Sequence, residues 1–294
     1  MKSQSQQQTE ETFGFKWKKR ETYESSAMQE SLKSWLFEKY FDGDPSRVSD
    51  LFQSRSIILD AGCGSGCSGL LLFGDHLQHH DYLGVDISEA VNVAELRFAE
   101  KKISARFERC DLNSIPEHYG QFDVIFSEGV LHHTDSVENA IVELSKRLRV
   151  GGKFLFYVYK KKAPIREFTD DLIRDALTPL NNEEAWAALE PLSKLGKTLG
   201  DLNIEIEIDE AIPFLGIEKG KYNLQRLFYY KICKAYYQSD FNLDEMNHIN
   251  FDWFRPHNCF RHTPEEIKEF LDKAGLKIER FHVEESGITV IASK

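Results

Sequence analysis

The chain has 294 residues, 41% hydrophobic and 29% charged, with 18 glycines and 8 prolines, a balance that excludes a collagen-like, coiled-coil or disordered protein. A chain this long buries enough apolar surface to need no metal or disulfide staple. Its 5 cysteines are odd in number, which argues against a disulfide framework or a paired-cysteine zinc site, and its net charge of -11 argues against a broad nucleic-acid footprint.

Residues 1–12, MKSQSQQQTEET, carry neither the apolar core of a signal peptide nor an Arg-rich amphipathic pattern, so they read as a disordered tail on a cytoplasmic protein. An aromatic and basic string, FGFKWKKR, follows. Met28, Leu32, Trp35, Leu36 and Tyr40 then recur on one face of a predicted helix. Residues 1–50 are therefore expected to form a tail and an N-terminal helical lid.

From 51 to 160 short apolar runs alternate with amphipathic stretches, the pattern of repeated strand-helix units on a parallel sheet. The runs are 57–59, 82–85, 105–110, 122–126 and 154–159, the last being the longest and far too short for a membrane span of about 20 residues. Ser88 and Thr134 are expected as helix N-caps, and Gly151-Gly152 as the stop before the fifth strand.

Residues 161–261 are read as an insertion that covers the substrate. It holds a Leu-rich helical stretch, an alternating segment at 204–209 and an aromatic helix over 222–237. The core resumes at 262–294, where Thr263-Pro264-Glu265-Glu266 is a helix start. Two closely spaced strands, 276–283 and 288–292, then make an antiparallel pair. The fold class is α/β, a doubly wound, seven-stranded, mostly parallel sheet.

The chemistry concentrates where strands end. Asp60-Ala61-Gly62-Cys63-Gly64-Ser65-Gly66 joins the first strand to a helix, and Gly64 to Gly69 fits the G-x-G-x-x-G pattern. Glycines accept positive φ and lack the Cβ that would keep a ligand off the backbone N–H groups. Asp86 closes the second strand, 24 residues after Gly62, near the roughly 20-residue spacing at which a carboxylate meets a ribose diol. Asp111 closes the third, where it suits an adenine amino group. All three acids, Asp60, Asp86 and Asp111, are expected in one crevice.

With Gly84-Val85-Asp86-Ile87-Ser88, Cys110-Asp111-Leu112, the segment 122–133 and Leu148-Arg149-Val150-Gly151-Gly152-Lys153, the chain resembles the class I S-adenosylmethionine-dependent methyltransferases. It is most similar to the group that includes the ubiquinone and menaquinone biosynthesis methyltransferases. The resemblance implies S-adenosylmethionine as cofactor. Gly62, Gly64 and Gly66, with Asp60, would meet its methionine part, Asp86 its ribose, and Asp111 with Leu112 its adenine. Ile87, Ser127 and Trp17 would complete the set, Trp17 by folding over the cofactor from the lid. It also suggests a histidine beside the methyl, here His133, with His257 as the alternate. The expected reaction is in-line methyl transfer to oxygen or nitrogen, rather than carbon, of a small-molecule acceptor, with no metal.

Two other classes share much of this pattern. An NAD(P)-dependent oxidoreductase accounts for the loop and Asp86 but not for Asp111 or the antiparallel final strands. A methyltransferase-like binding module without turnover accounts for every feature, and a tRNA base or protein side chain stays open as acceptor.

Overall fold

The computed structural model describes residues 3–52 and 55–294. The chain runs through α1 (Gln4–Lys18), α2 (Ser26–Phe41), β1 (Ile57–Ala61), α3 (Cys67–Phe73), β2 (Asp81–Asp86), α4 (Ala90–Glu100), β3 (Arg106–Arg109), β4 (Phe122–Glu128), α5 (Val137–Arg147) and β5 (Leu148–Tyr159). Then come α6 (Pro164–Leu177), α7 (Asn182–Leu202), β6 (Glu205–Ile208), β7 (Gly220–Asn223), α8 (Leu224–Lys231) and α9 (Leu243–Phe254), before α10 (Pro264–Lys273), β8 (Lys277–Val283) and β9 (Gly287–Ser293). Two compact units result. One holds residues up to 18, 29–160 and 258–294; the other holds 19–28 and 161–257.

The first unit is built on a seven-stranded sheet in the order β3-β2-β1-β4-β5-β9-β8. Within this sheet β9 runs opposite to the other six strands. From β1 the chain winds outward through β2 and β3, then crosses back to β4, so the carboxyl ends of β1 and β4 form the switch point where open α/β sheets bind ligands. Alternate residues of each strand feed two cores. On one face Ile58, Tyr82, Phe126 and Leu155 pack under α2, α3 and α4 through Leu36, Tyr40, Phe73 and Phe98. On the other, Leu59, Val85, Ile125, Phe154 and Phe156 pack against Ile141 and Leu144 of α5 and Ile267 and Leu271 of α10.

Several local expectations give way, Ser88 among them, since the N-cap of α4 is Glu89. Residues 4–12, expected as a tail, begin α1, whose buried side chains Gln6, Thr9, Thr12 and Lys16 form a polar stripe that no apolar periodicity announces. The cap of α5 is Ser136, accepting from Asn139 N, while the Thr134 hydroxyl turns back to the Leu131 carbonyl at 2.7 Å. Gly151 and Gly152 lie inside β5, at a shift in its register against β4, where a Cβ at 152 would stand 2.9 Å from the Asp123 carbonyl oxygen. The aromatic helix is only Leu224–Lys231; the backbone leaves it before Tyr236 and Tyr237.

In the second unit β6 and β7 form a separate hairpin. Asp170, fully buried, accepts from both Arg166 Nε, at 2.8 Å, and Trp253 Nε1, at 2.9 Å, fastening α6 to α9. Residues 19–28, expected in the lid, join this unit: Thr22 Oγ1 lies 2.8 Å from His248 Nδ1, and Lys19 lies over the Trp186 ring. No helix among the described residues is long and apolar enough to cross a membrane.

Phe126 is fully buried between the rings of Tyr40, at 5.9 Å, and Phe73, at 5.3 Å. Phe126→Ala should cost about 3–5 kcal/mol of stability, measured by urea unfolding. A loss below about 1 kcal/mol would contradict this packing.

Candidate active site

The bend after β1 is fixed by the chain itself. Gly62 N and Cys63 N both donate to the Val85 carbonyl, at 2.7 and 2.9 Å, which folds the loop over the end of β2. Gly62, Gly64 and Gly66 have φ of +84°, +50° and +73°, values that side chains with a Cβ avoid. A Cβ would also lie 2.2 Å from Val130 at 62, 2.8 Å from the Trp17 indole at 64 and 2.9 Å from Phe98 at 66. These glycines therefore serve the packing of the loop as well as any ligand approach. From α4 the buried Arg97 guanidinium donates to the Ser65 carbonyl at 2.7 Å and locks the bend.

Asp86, buried at the end of β2, accepts from Gly64 N at 2.9 Å through one oxygen, and from Ser88 N and Oγ at 2.8 and 2.7 Å through the other. Burial pushes its pKa up, against the pull of these bonds and of Lys16. Asp60 accepts from the Tyr82 hydroxyl. Burial carries Asp60 to about 7, opposed by that bond and aided by the nearby charge of Asp86.

Asp111 lies two residues beyond the end of β3. Its carboxyl turns onto its own loop, accepting from Asn113 N and Nδ2 at 2.9 Å each, and it is only half-buried. The third carboxyl coupled to this rim is Glu128, at the end of β4, which accepts from Tyr40 at 2.5 Å and senses Asp60. The segment 122–133 contains it, but the sequence reading gave its carboxyl no role; the signal available was its place two residues past the apolar run of a strand. Ile87 is half-buried and Leu112 buried beyond Asp86 and Asp111. Ser127 gives its hydroxyl proton to the Ala61 carbonyl at 2.8 Å, tying β4 to the start of the glycine loop.

Helix α1 spans this rim within the same unit. At one end Gln6 donates to the His133 carbonyl at 2.9 Å; at the other, the Trp17 ring covers Gly64 and Lys18 pairs with Glu89 at 3.2 Å. Glu10 pairs with Arg109 between them. Lys16, 4% exposed, lies 3.9 Å from the centre of the Trp17 ring.

Of the two candidate histidines, His133 is buried, its ring 5.0 Å from Phe13 and its Nδ1 2.7 Å from the Asn258 carbonyl. That bond needs a proton on Nδ1, so Nε2 is the basic nitrogen of the neutral ring. His257 is exposed and ends the second unit.

The pH dependence of stability has a definite sign. Unfolded, Asp60 ionises near the ordinary carboxylate value; folded, it holds its proton to about 7. Folding therefore takes up a proton in between, and this contribution is lost as pH rises from about 4 to about 7. Asp60→Asn should make the fall in melting temperature between pH 5 and 8 shallower than in the parent protein; parallel curves would contradict the buried, protonated Asp60.

The family described as "methyltransferase domain" matches residues 59–156. A probable tRNA methyltransferase 9B of Mus musculus is 31% identical over 141 residues, 46% of this chain and 29% of that protein. A ubiquinone biosynthesis O-methyltransferase of Marinobacter nauticus is 29% identical over 126 residues, 40% of this chain and 51% of its own length. The chain thus spans about half or less of these relatives. Among solved structures, a magnesium protoporphyrin IX methyltransferase from Synechocystis with bound SAM superimposes with a TM-score of 0.50 at 13% identity, covering 100% of this chain and 98% of that one. That likeness concerns the fold. The matched domain and the order of the sheet support a class I S-adenosylmethionine-dependent methyltransferase.

Proposed function

We propose that the protein transfers a methyl group from S-adenosylmethionine to oxygen or nitrogen of a small, partly apolar acceptor in the cytoplasm. The observation that carries this reading is Asp86, a buried carboxylate held by Gly64 N at the switch point of the sheet. A carboxylate has about four lone-pair sites, and the three bonds to Gly64 and Ser88 leave room for a ribose hydroxyl. Thr9 Oγ1, on the buried stripe of α1, has no hydrogen-bond partner among the described residues. A polar ligand under α1 would satisfy it. These residues fit an adenosyl amino acid.

When bound, the cofactor supplies a methyl group on cationic sulfur, which leaves as a neutral thioether. The chain's own part is alignment and exclusion of water. Asp86 would orient the ribose, the bend at Gly62, Gly64 and Gly66 the methionine part, and Ile87 and Leu112 the flat base with Asp111 at its edge. Helix α1 would act as the lid, with Trp17 closing the glycine loop. His133 would form a wall of the site and anchor the lid through Gln6. The residues 161–257 would select the acceptor.

The charge of -11 and the aromatic residues at the rim favour a small acceptor over the tRNA named for the mouse relative. A silent binding module shares the whole geometry, so binding and turnover are separate tests. S-adenosylhomocysteine should raise the melting temperature while NAD should not, and Asp86→Asn should weaken S-adenosylhomocysteine binding at least tenfold by calorimetry. Stabilisation by NAD alone would overturn the reading. Label from methyl-labelled cofactor should appear in the small-molecule fraction of a cell extract; label confined to RNA or protein would replace the acceptor, and binding with no labelled product would favour the silent module. Deleting residues 1–18 should weaken binding of the same ligand; unchanged affinity would remove the lid.

A further inference from the structure

Beside the glycine loop, on the face of the sheet covered by α2, the rim holds a group that the reading above does not use. Tyr40, on α2, is fully buried and donates from its hydroxyl to Glu128 Oε2 at 2.5 Å. Glu128 stands two residues beyond Phe126, the partner of Asp60 in the sheet, and opposite Tyr157 of β5. The next turn of chain carries Val130, which packs against Gly62. Glu128 therefore borders the end of the loop assigned to the methionine part, and as a residue it is only half-buried.

Its surroundings are aromatic. The rings of Trp35 and Tyr157 meet edge to face at 5.0 Å, and His132 stacks on Tyr159 at 3.6 Å. Lys39 Nζ lies over the rings of Trp35 and Tyr157 and is held by Glu284 and by Ser286 Oγ. A carboxyl at the edge of such walls suits a flat molecule with a hydroxyl pointing at it.

We propose that Glu128 is the catalytic base of the transfer, oriented by Tyr40 as a positioning residue, and that the acceptor is a planar, apolar molecule methylated on a hydroxyl. This rests on the methyltransferase reading. The acceptor oxygen forms its bond to the methyl carbon as the carbon–sulfur bond breaks, with that bond's electron pair staying on sulfur. The hydroxyl proton passes to the Glu128 carboxylate, which later releases it to water. Atoms and charges balance without a further reactant.

The groups facing Glu128 tune it. Burial, the largest effect, and the charge of Asp60 on β1 raise its pKa, while Tyr40 and Lys39 on α2 lower it, leaving it at about 8. Tyr157 on β5 faces the same pair through Tyr40. A carboxylate of this basicity takes a proton from a hydroxyl far better than an ordinary one. It works only when ionised, so the rate should rise with pH to a plateau above about 8. Tyr40→Phe removes a bond that favours the carboxylate and should move that rise to higher pH.

Two measurements decide the matter. Carbon-13 NMR of glutamate-labelled protein with S-adenosylhomocysteine should show one carboxyl titrating near pH 8, missing in Glu128→Gln and shifted upward in Tyr40→Phe. A Glu128 signal in the ordinary carboxylate range, or one that Tyr40→Phe leaves in place, overturns the proposal whether or not a product has been found. With the labelled product of the extract assay, Glu128→Gln should lower kcat about 100- to 10,000-fold with S-adenosylhomocysteine affinity kept within twofold and melting intact, and Glu128→Asp should restore part of the rate. A rate within twofold of the parent, or a pH profile that shifts in His133→Asn but not in Tyr40→Phe, assigns the base elsewhere. Loss of S-adenosylhomocysteine binding by the parent protein would instead count against the methyltransferase reading.

Discussion

The rim of the sheet is governed by the cost of keeping carboxyl groups out of water. Asp60, Asp86 and Glu128 end three neighbouring parallel strands on the face packed by α2, α3 and α4. Each is offset by a hydroxyl: Tyr82 for Asp60, Ser88 for Asp86 and Tyr40 for Glu128. An unpaired buried carboxylate would cost several kcal/mol. The hydroxyls lower that cost without removing the basicity that burial confers, and Asp86 alone gains two backbone N–H donors.

The same constraint explains helix α1. Its inward face is polar because what lies beneath is polar: Gln6 finds the His133 carbonyl, and Lys16 faces Asp86. A purely apolar helix there would strand those groups. Lys16, between two aromatic rings and a carboxylate, occupies the kind of surroundings that also suit a sulfonium.

β1, β2 and β4 are legible in the sequence because each is a short apolar run that ends at or beside an acid, and the closing antiparallel pair because 283 and 288 are too close for a crossover. Asp86 and the glycine bend are legible for the same reason: local spacing encodes them. Glu128 is not, since its importance comes from Tyr40, which lies 88 residues away in the chain. Nor is α1, where burial of polar side chains against a distant rim leaves no apolar period. The aromatic stretch 222–237 misleads because its rings follow a helical spacing that the backbone abandons after Lys231.

The central claim is that a nucleoside lies against Asp86 with its methionine part at the bend beside Glu128. A crystal structure of the protein grown with S-adenosylhomocysteine tests it most directly. The ribose diol should lie within hydrogen-bond reach of Asp86 and the sulfur on the Glu128 side of Gly62, beneath α1. Density for the ligand in any other hollow, or a ribose that leaves Asp86 untouched, would contradict it.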